Sequence, residues 1–218
     1  MNEKRFKLIG LVTLLGAFFS LAMASLTISL GKPPQFFDAR NTNNIISELK
    51  DNTELVSTLL LFTAFDNLFV VGYMILFYGV YLLTREYEEN LSKLALAFGW
   101  LTGIFDLIEN TFNVFLAVGA THGFEPGELF FTFMWSSTYL KDGFSIIATY
   151  LFFVLFLGKI IFEKEYNSSE VIIAVLLLFN VITGTTTIVN PAFVVLRNIT
   201  LVVVMFIASI VFMREKKG

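Results

Sequence analysis

Apolar residues gather along this chain into runs of about 20 or more, the length a helix needs to cross a hydrocarbon layer about 30 Å thick. The runs cover residues 8–30, 55–83, 94–119, 129–162, 171–189 and 192–213. In lipid every backbone N–H and C=O must be paired inside its own segment, so each run is expected to be helical. The pattern predicts an all-α, polytopic transmembrane helix bundle of six spans, forming one domain over residues 1–218. No internal repeat or low-complexity tract interrupts it. The last two runs are parted by Asn190-Pro191, a turn signal. The one sizeable polar connection is an outer loop over 31–53, expected to cover one face of the bundle.

Two of the runs need closer reading. The fourth, 129–162, is too long for one upright span. Glu125-Pro126-Gly127-Glu128 marks its start, with proline early and acids at the positive end of the helix dipole. It predicts one long, tilted or kinked helix, in preference to a helix broken near Gly143 whose first part lies in the outer leaflet. In the first run, Lys4, Arg5 and Lys7 precede the apolar stretch, and Ala22-Met23-Ala24 has the look of a signal-peptidase site. Hydrophobicity nevertheless continues over 25–30, past the length of a signal core, so this helix is expected to be a retained span.

With six spans, Lys4, Arg5, Lys7, Arg85, Lys93, Lys159, Lys164, Arg214, Lys216 and Lys217 all fall at one end. At the other end Lys32, Arg40 and Lys50 share the loop with Asp38, Glu48, Asp51 and Glu54. The positive-inside bias then predicts that both termini are cytoplasmic, in a cell (plasma) membrane.

Composition narrows the function classes. Hydrophobic residues make up 56% of the chain, charged residues 15%, and Phe alone occurs 26 times. A soluble core in 218 residues could not hide that much apolar surface, so lipid must solvate much of it. A net charge of −3 leaves no basic face for nucleic acid. With no cysteine and with His122 the sole histidine, thiolate and histidine-rich metal sites are excluded, and no metal or cofactor is expected. No phosphate loop, dinucleotide fingerprint, zincin helix or nucleophile elbow is present. The Asn-x-Ser/Thr sequons at Asn90, Asn167 and Asn198 read as chance.

The informative residues are polar ones at membrane depth. In the third run Gly99, Thr102, Asp106, Glu109, Asn110 and Asn113 recur every three or four positions, which is one helical face. Leu101, Ile104, Phe105, Ile108, Phe112 and Phe115 form the other. The second run carries Thr63, Asp66, Asn67 and Tyr73, again on roughly one side. Counted from the outer ends of antiparallel spans, Asp66 and Glu109 each lie about ten residues deep, or about 15 Å at 1.5 Å per residue, and can meet. Ser137, Lys141, Ser145 and Thr149 repeat every four residues in the fourth run, with Asp142 adjacent. Asn180, Thr183, Gly184 and Thr187 share a face of the fifth, and Arg197 and Asn198 lie nearer the outside in the sixth.

A charge at the centre of a membrane helix costs about 2.5–3.5 kcal/mol on insertion scales, so such residues pair, face water or serve a site. Asp66, Asp106, Glu109 and Asp142 against Lys141 and Arg197 leave a formal negative excess. For the acids, a functional cluster is favoured over a packing network. Lys141 and Arg197 read equally well as snorkelling side chains. The Asn and Thr residues of the fifth run read first as interhelical glue, and Gly10, Gly16, Ala17, Ser20 and Ala24 as close-packing positions in the first. The expected partners are membrane lipids, a small-molecule or lipid ligand, and a second copy of the chain. Binding or transport of a small hydrophobic or cationic molecule stands ahead of carboxyl acid–base chemistry on a lipid. An accessory role in a larger membrane complex is the third reading.

Overall fold

A computed structural model describes residues 3–30, 48–50, 52–123, 126–163, 168–190 and 193–214. Most of the expected outer loop (31–47 and 51, with Lys32, Asp38, Arg40 and Asp51) lies outside them, as do Glu125, Lys164, Asn167, Pro191, Lys216 and Lys217. The helices are α1 (Glu3–Ser29), α2 (Thr53–Thr84), α3 (Glu89–Thr121), α4 (Glu128–Gly158), α5 (Ser168–Val189) and α6 (Val194–Arg214). All six are long and apolar enough to cross a membrane, and no strand occurs among the described residues. The chain is a multi-pass helix bundle.

The fourth run is one continuous helix. It passes Gly143 unbroken and continues beyond Gly158 as a π-helical turn over Lys159–Glu163. Pro126 precedes the helix rather than opening it, since Gly127 is the residue flanking its first turn. α3 begins at Glu89, earlier than the apolar run, because a polar first turn is stable in water. There Lys93 pairs with Glu89 at 2.8 Å, four residues apart. At α2 the Asn52 side chain accepts the Leu55 N–H at 3.0 Å and caps the start. With 32 residues, α2 is about 48 Å long at 1.5 Å per residue, so it must tilt or project beyond the hydrocarbon.

Each helix packs on its neighbours in sequence, and α6 packs back on α1, so the bundle is a closed ring. Helices α1 and α6 run antiparallel, with Gly10 facing Met213 and Phe6 against Phe212, which brings Glu3 and Arg214 to the same end. The amphipathic α3 is oriented as its pattern requires. Asp106, Glu109, Asn110 and Asn113 are buried, whereas Ile104, Ile108 and Phe115 are exposed on the outer surface. In lipid, apolar side chains are the correct outer surface and polar ones must face other helices.

The interior of the ring differs between its two ends. Toward the end holding Glu3 and Arg214 it is filled by a dense apolar layer. Phe6 and Ile9 of α1, Phe77 and Val80 of α2, Phe152 and Phe156 of α4, Ile173 of α5 and Phe212 of α6 belong to one buried cluster. Phe77 and Phe152 stack across it with ring centres 6.0 Å apart. The opposite half holds the polar stripe of α3 and its partners on α2 and α4.

Close approach of α1, α2 and α6 depends on glycine. A methyl carbon added at Gly72 would stand 2.5 Å from the Gly16 Cα, and one at Gly16 would stand 2.7 Å from the Gly72 Cα. Backbone meets backbone there, with the end of the Met205 side chain of α6 beside it, as small residues permit at membrane helix crossings, and the backbone cannot yield as a side chain would. Gly143 has open space around its Cα. Gly72→Ala is therefore expected to destabilise the bundle by about 1–3 kcal/mol, the usual cost of overpacking. Gly143→Ala is expected to be neutral or stabilising, since alanine favours the helix. Unfolding of both variants in one detergent checks the contrast.

Candidate functional site

The polar residues of five helices, α2 to α6, converge in the half of the ring away from the termini. Asp106 lies on the inner stripe of α3, where Tyr73 of α2 donates its hydroxyl to Oδ2 at 2.8 Å. Lys141 of α4 donates to Asp106 Oδ1 at 3.1 Å and lies 2.6 Å from Glu109 Oε2. One ammonium thus bridges two carboxylates a turn apart on α3. The spacing of three between Asp106 and Glu109 places both on one helix face, toward a single cation on α4.

A second group is built from amides. Asn110 directs its NH2 to Asp66 Oδ2 at 2.8 Å and to Asn67 Oδ1 at 2.9 Å, joining α3 to α2. A third joins α4 to α6, where Arg197 forms an ion pair with Asp142. Asn180 of α5 donates to Thr200 of α6 at 3.3 Å, and Thr183 shares the same hydroxyl at 3.1 Å. That contact is interhelical glue of the expected kind, and Thr187 adds a buried hydroxyl bonded to the Thr183 carbonyl. Lys141 and Arg197 do not snorkel. Both are held by carboxylates, with side chains 14% and 17% exposed.

These groups surround a cavity of about 460 Å³. Its polar wall comes from α2, α3 and α4, with Asp66, Tyr73, Asp106, Glu109, Lys141 and Asp142, completed by Asn180 and Arg197. Asn113 also faces the cavity, is buried, and hydrogen-bonds to none of the described residues. Asn67 bonds Asn110 from beside the wall without lining it. The opposite wall is apolar and was not foreseen. It consists of Leu21, Met23 and Ala24 of α1 with Val202, Val203 and Phe206 of α6. Ser20 and Ala24, read as packing positions, are wall positions instead. Gly10, Gly16 and Ala17 are buried in the helix contacts.

One further ion pair lies at the other end of the bundle. Lys159, at the start of the π-helical turn, meets buried Glu170 of α5 at 2.7 Å. Its signal was available in the sequence, since a base ending one span and an acid opening the next fall side by side in an antiparallel pair. Among the described residues no three His, Cys, Asp or Glu side chains converge in a way that could hold a metal ion.

Removing Lys141 would strand two buried carboxylates. Lys141→Met is expected to cost about 3–5 kcal/mol, as breaking a buried pair from one side does. Adding Asp106→Asn and Glu109→Gln to Lys141→Met is expected to recover most of that loss, because neither carboxylate that Lys141 held is then left charged. Chemical unfolding of the single and triple variants measures the recovery. No family model matches the chain, and no curated protein or solved structure is significantly similar to it.

Proposed function

We propose that the ring is a membrane-embedded binding protein for a small amphiphilic molecule, held with its polar head on α2–α4 and its apolar body against α1 and α6. The reading rests on the two-sided cavity. At about 460 Å³ it falls within the roughly 300–1,000 Å³ range of small-molecule pockets, which are mainly apolar with a few placed polar groups. A purely structural network does not call for empty space beside it. Native bundles close such space because voids cost about 24 cal/mol per Å³ in measured series.

The same reading extends to transport. The apolar layer at the termini end closes the cavity on that side, so release there requires that layer to part. Lys4, Arg5, Lys7, Arg85, Lys93, Lys159 and Arg214 all sit toward that end and argue for a cytoplasmic orientation in a cell membrane.

Val202 lies on the apolar wall, and Val202→Trp fills the space without touching the charges. Native mass spectrometry of the chain released gently from its own membranes is expected to show a bound small molecule that Val202→Trp loses. A wild-type spectrum free of any adduct, together with no thermal stabilisation by a panel of small amphiphiles, contradicts binding. Liposome flux of any molecule so identified separates a carrier from a static binder.

A further inference from the structure

The charges lining the cavity are not equivalent. Lys141 is engaged by both Asp106 and Glu109, and Arg197 by Asp142. Asp66 has no lysine or arginine within ion-pair distance among the described residues. Its hydrogen-bond partner is the neutral Asn110 amide. A carboxylate that faces a cavity at membrane depth and is held directly only by a neutral amide is costly to keep, and acts as an acceptor for an incoming positive group.

Its surroundings on α2 suit such a group. Phe62 and Phe69 stand four residues before and three after Asp66, on the same helix face, and both line the cavity. Carboxylate and aromatic faces together are the chemistry that recognises ammonium groups, through charge and through the ring quadrupole. On the neighbouring α3, one turn beyond Asn110, the buried Asn113 amide lines the cavity with no hydrogen bond to the described residues, leaving a polar contact for the same head. An anionic head meets the opposite situation, since both cations in the wall are already held by carboxylates.

We infer that the ligand's head is an ammonium anchored by Asp66, with Phe62 and Phe69 beside it, Asn113 accepting a further N–H, and the apolar body on the α1–α6 wall. The inference rests on the binding reading above and names its ligand class, an organic amine with a compact hydrocarbon body. A free amine and the headgroup of an amino-lipid share this recognising chemistry.

Three probes with one rigid hydrocarbon cage test it: 1-aminoadamantane, 1-adamantanol and adamantane-1-carboxylate, titrated calorimetrically into the chain in nanodiscs of phosphatidylglycerol. The amine is expected to bind about tenfold tighter than the alcohol, and the carboxylate weakest, as a desolvated ammonium contact implies. Asp66→Asn is expected to bring amine and alcohol within about threefold of each other, while alcohol binding persists and reports an intact cavity. Equal or tighter binding of the alcohol or carboxylate in the wild type, or an amine preference that survives Asp66→Asn, overturns the ammonium anchor and leaves the binding cavity standing. Binding of none of the three counts against the cavity reading itself. Adding phosphatidylethanolamine, with phosphatidylcholine as control, separates the sources. Competition with aminoadamantane by the former alone assigns the head to a lipid, and no competition assigns it to a free amine.

Discussion

One ammonium shared by two carboxylates sets the terms for the rest of this bundle. Lys141 on α4 reaches Asp106 and Glu109 on α3, and Tyr73 on α2 completes Asp106 from the other side. None of these groups is tolerable in hydrocarbon alone, at a cost of several kcal/mol for each unpaired charge. Together they oblige three helices to present one face to a common interior. The apolar backs of those helices then become the lipid surface, as Ile104, Ile108 and Phe115 show on α3.

That obligation explains why the two halves of the ring differ. Where paired polar side chains line the interior, a cavity of about 460 Å³ is left beside them. Where the interior is Phe, Leu, Ile and Val, it closes fully, as the buried Phe6, Phe152, Phe156 and Phe212 show. The Gly16–Gly72 contact draws α1 against α2 and lets α6 complete the ring from the other side. Polar side chains, aromatic plug and glycine contact are thus three parts of one packing solution. Only the polar half has a use for empty volume.

Much of this was legible in the sequence because lipid makes hydrophobic length an almost sufficient signal for a span. The stripe from Gly99 to Asn113 also fixed which side of α3 turns inward, since its period matches a helix and its chemistry cannot face lipid. Asp66 and Glu109 lie about equally deep when counted along their helices, and Asp66 bonds Asn110, the neighbour of Glu109. What could not be read was partner choice. Nothing in the spacing says that Lys141 takes Asp106 and Glu109 and that Asp142 goes to Arg197, because those pairings depend on helix order around a ring. The apolar wall was invisible for a different reason. Leu21, Met23, Val202 and Phe206 look the same in sequence whether they face a cavity, a neighbour or lipid. Ser20 and Ala24 were misread as packing residues on that account, being small in either role.

One half of the ring encloses a cavity with one polar and one apolar wall, and the other half is sealed. The chain has no cysteine, so single cysteines can be introduced into an otherwise silent background. The most direct measurement is the rate at which a small hydrophilic thiol reagent modifies Ser20→Cys, Asn113→Cys and Ser145→Cys, against Ala95→Cys and Ala208→Cys in the sealed half, all in nanodiscs open to both faces. Modification is expected at the first three and protection at the last two. Equal protection at all five, or modification of Ala208→Cys ahead of Asn113→Cys, would contradict it.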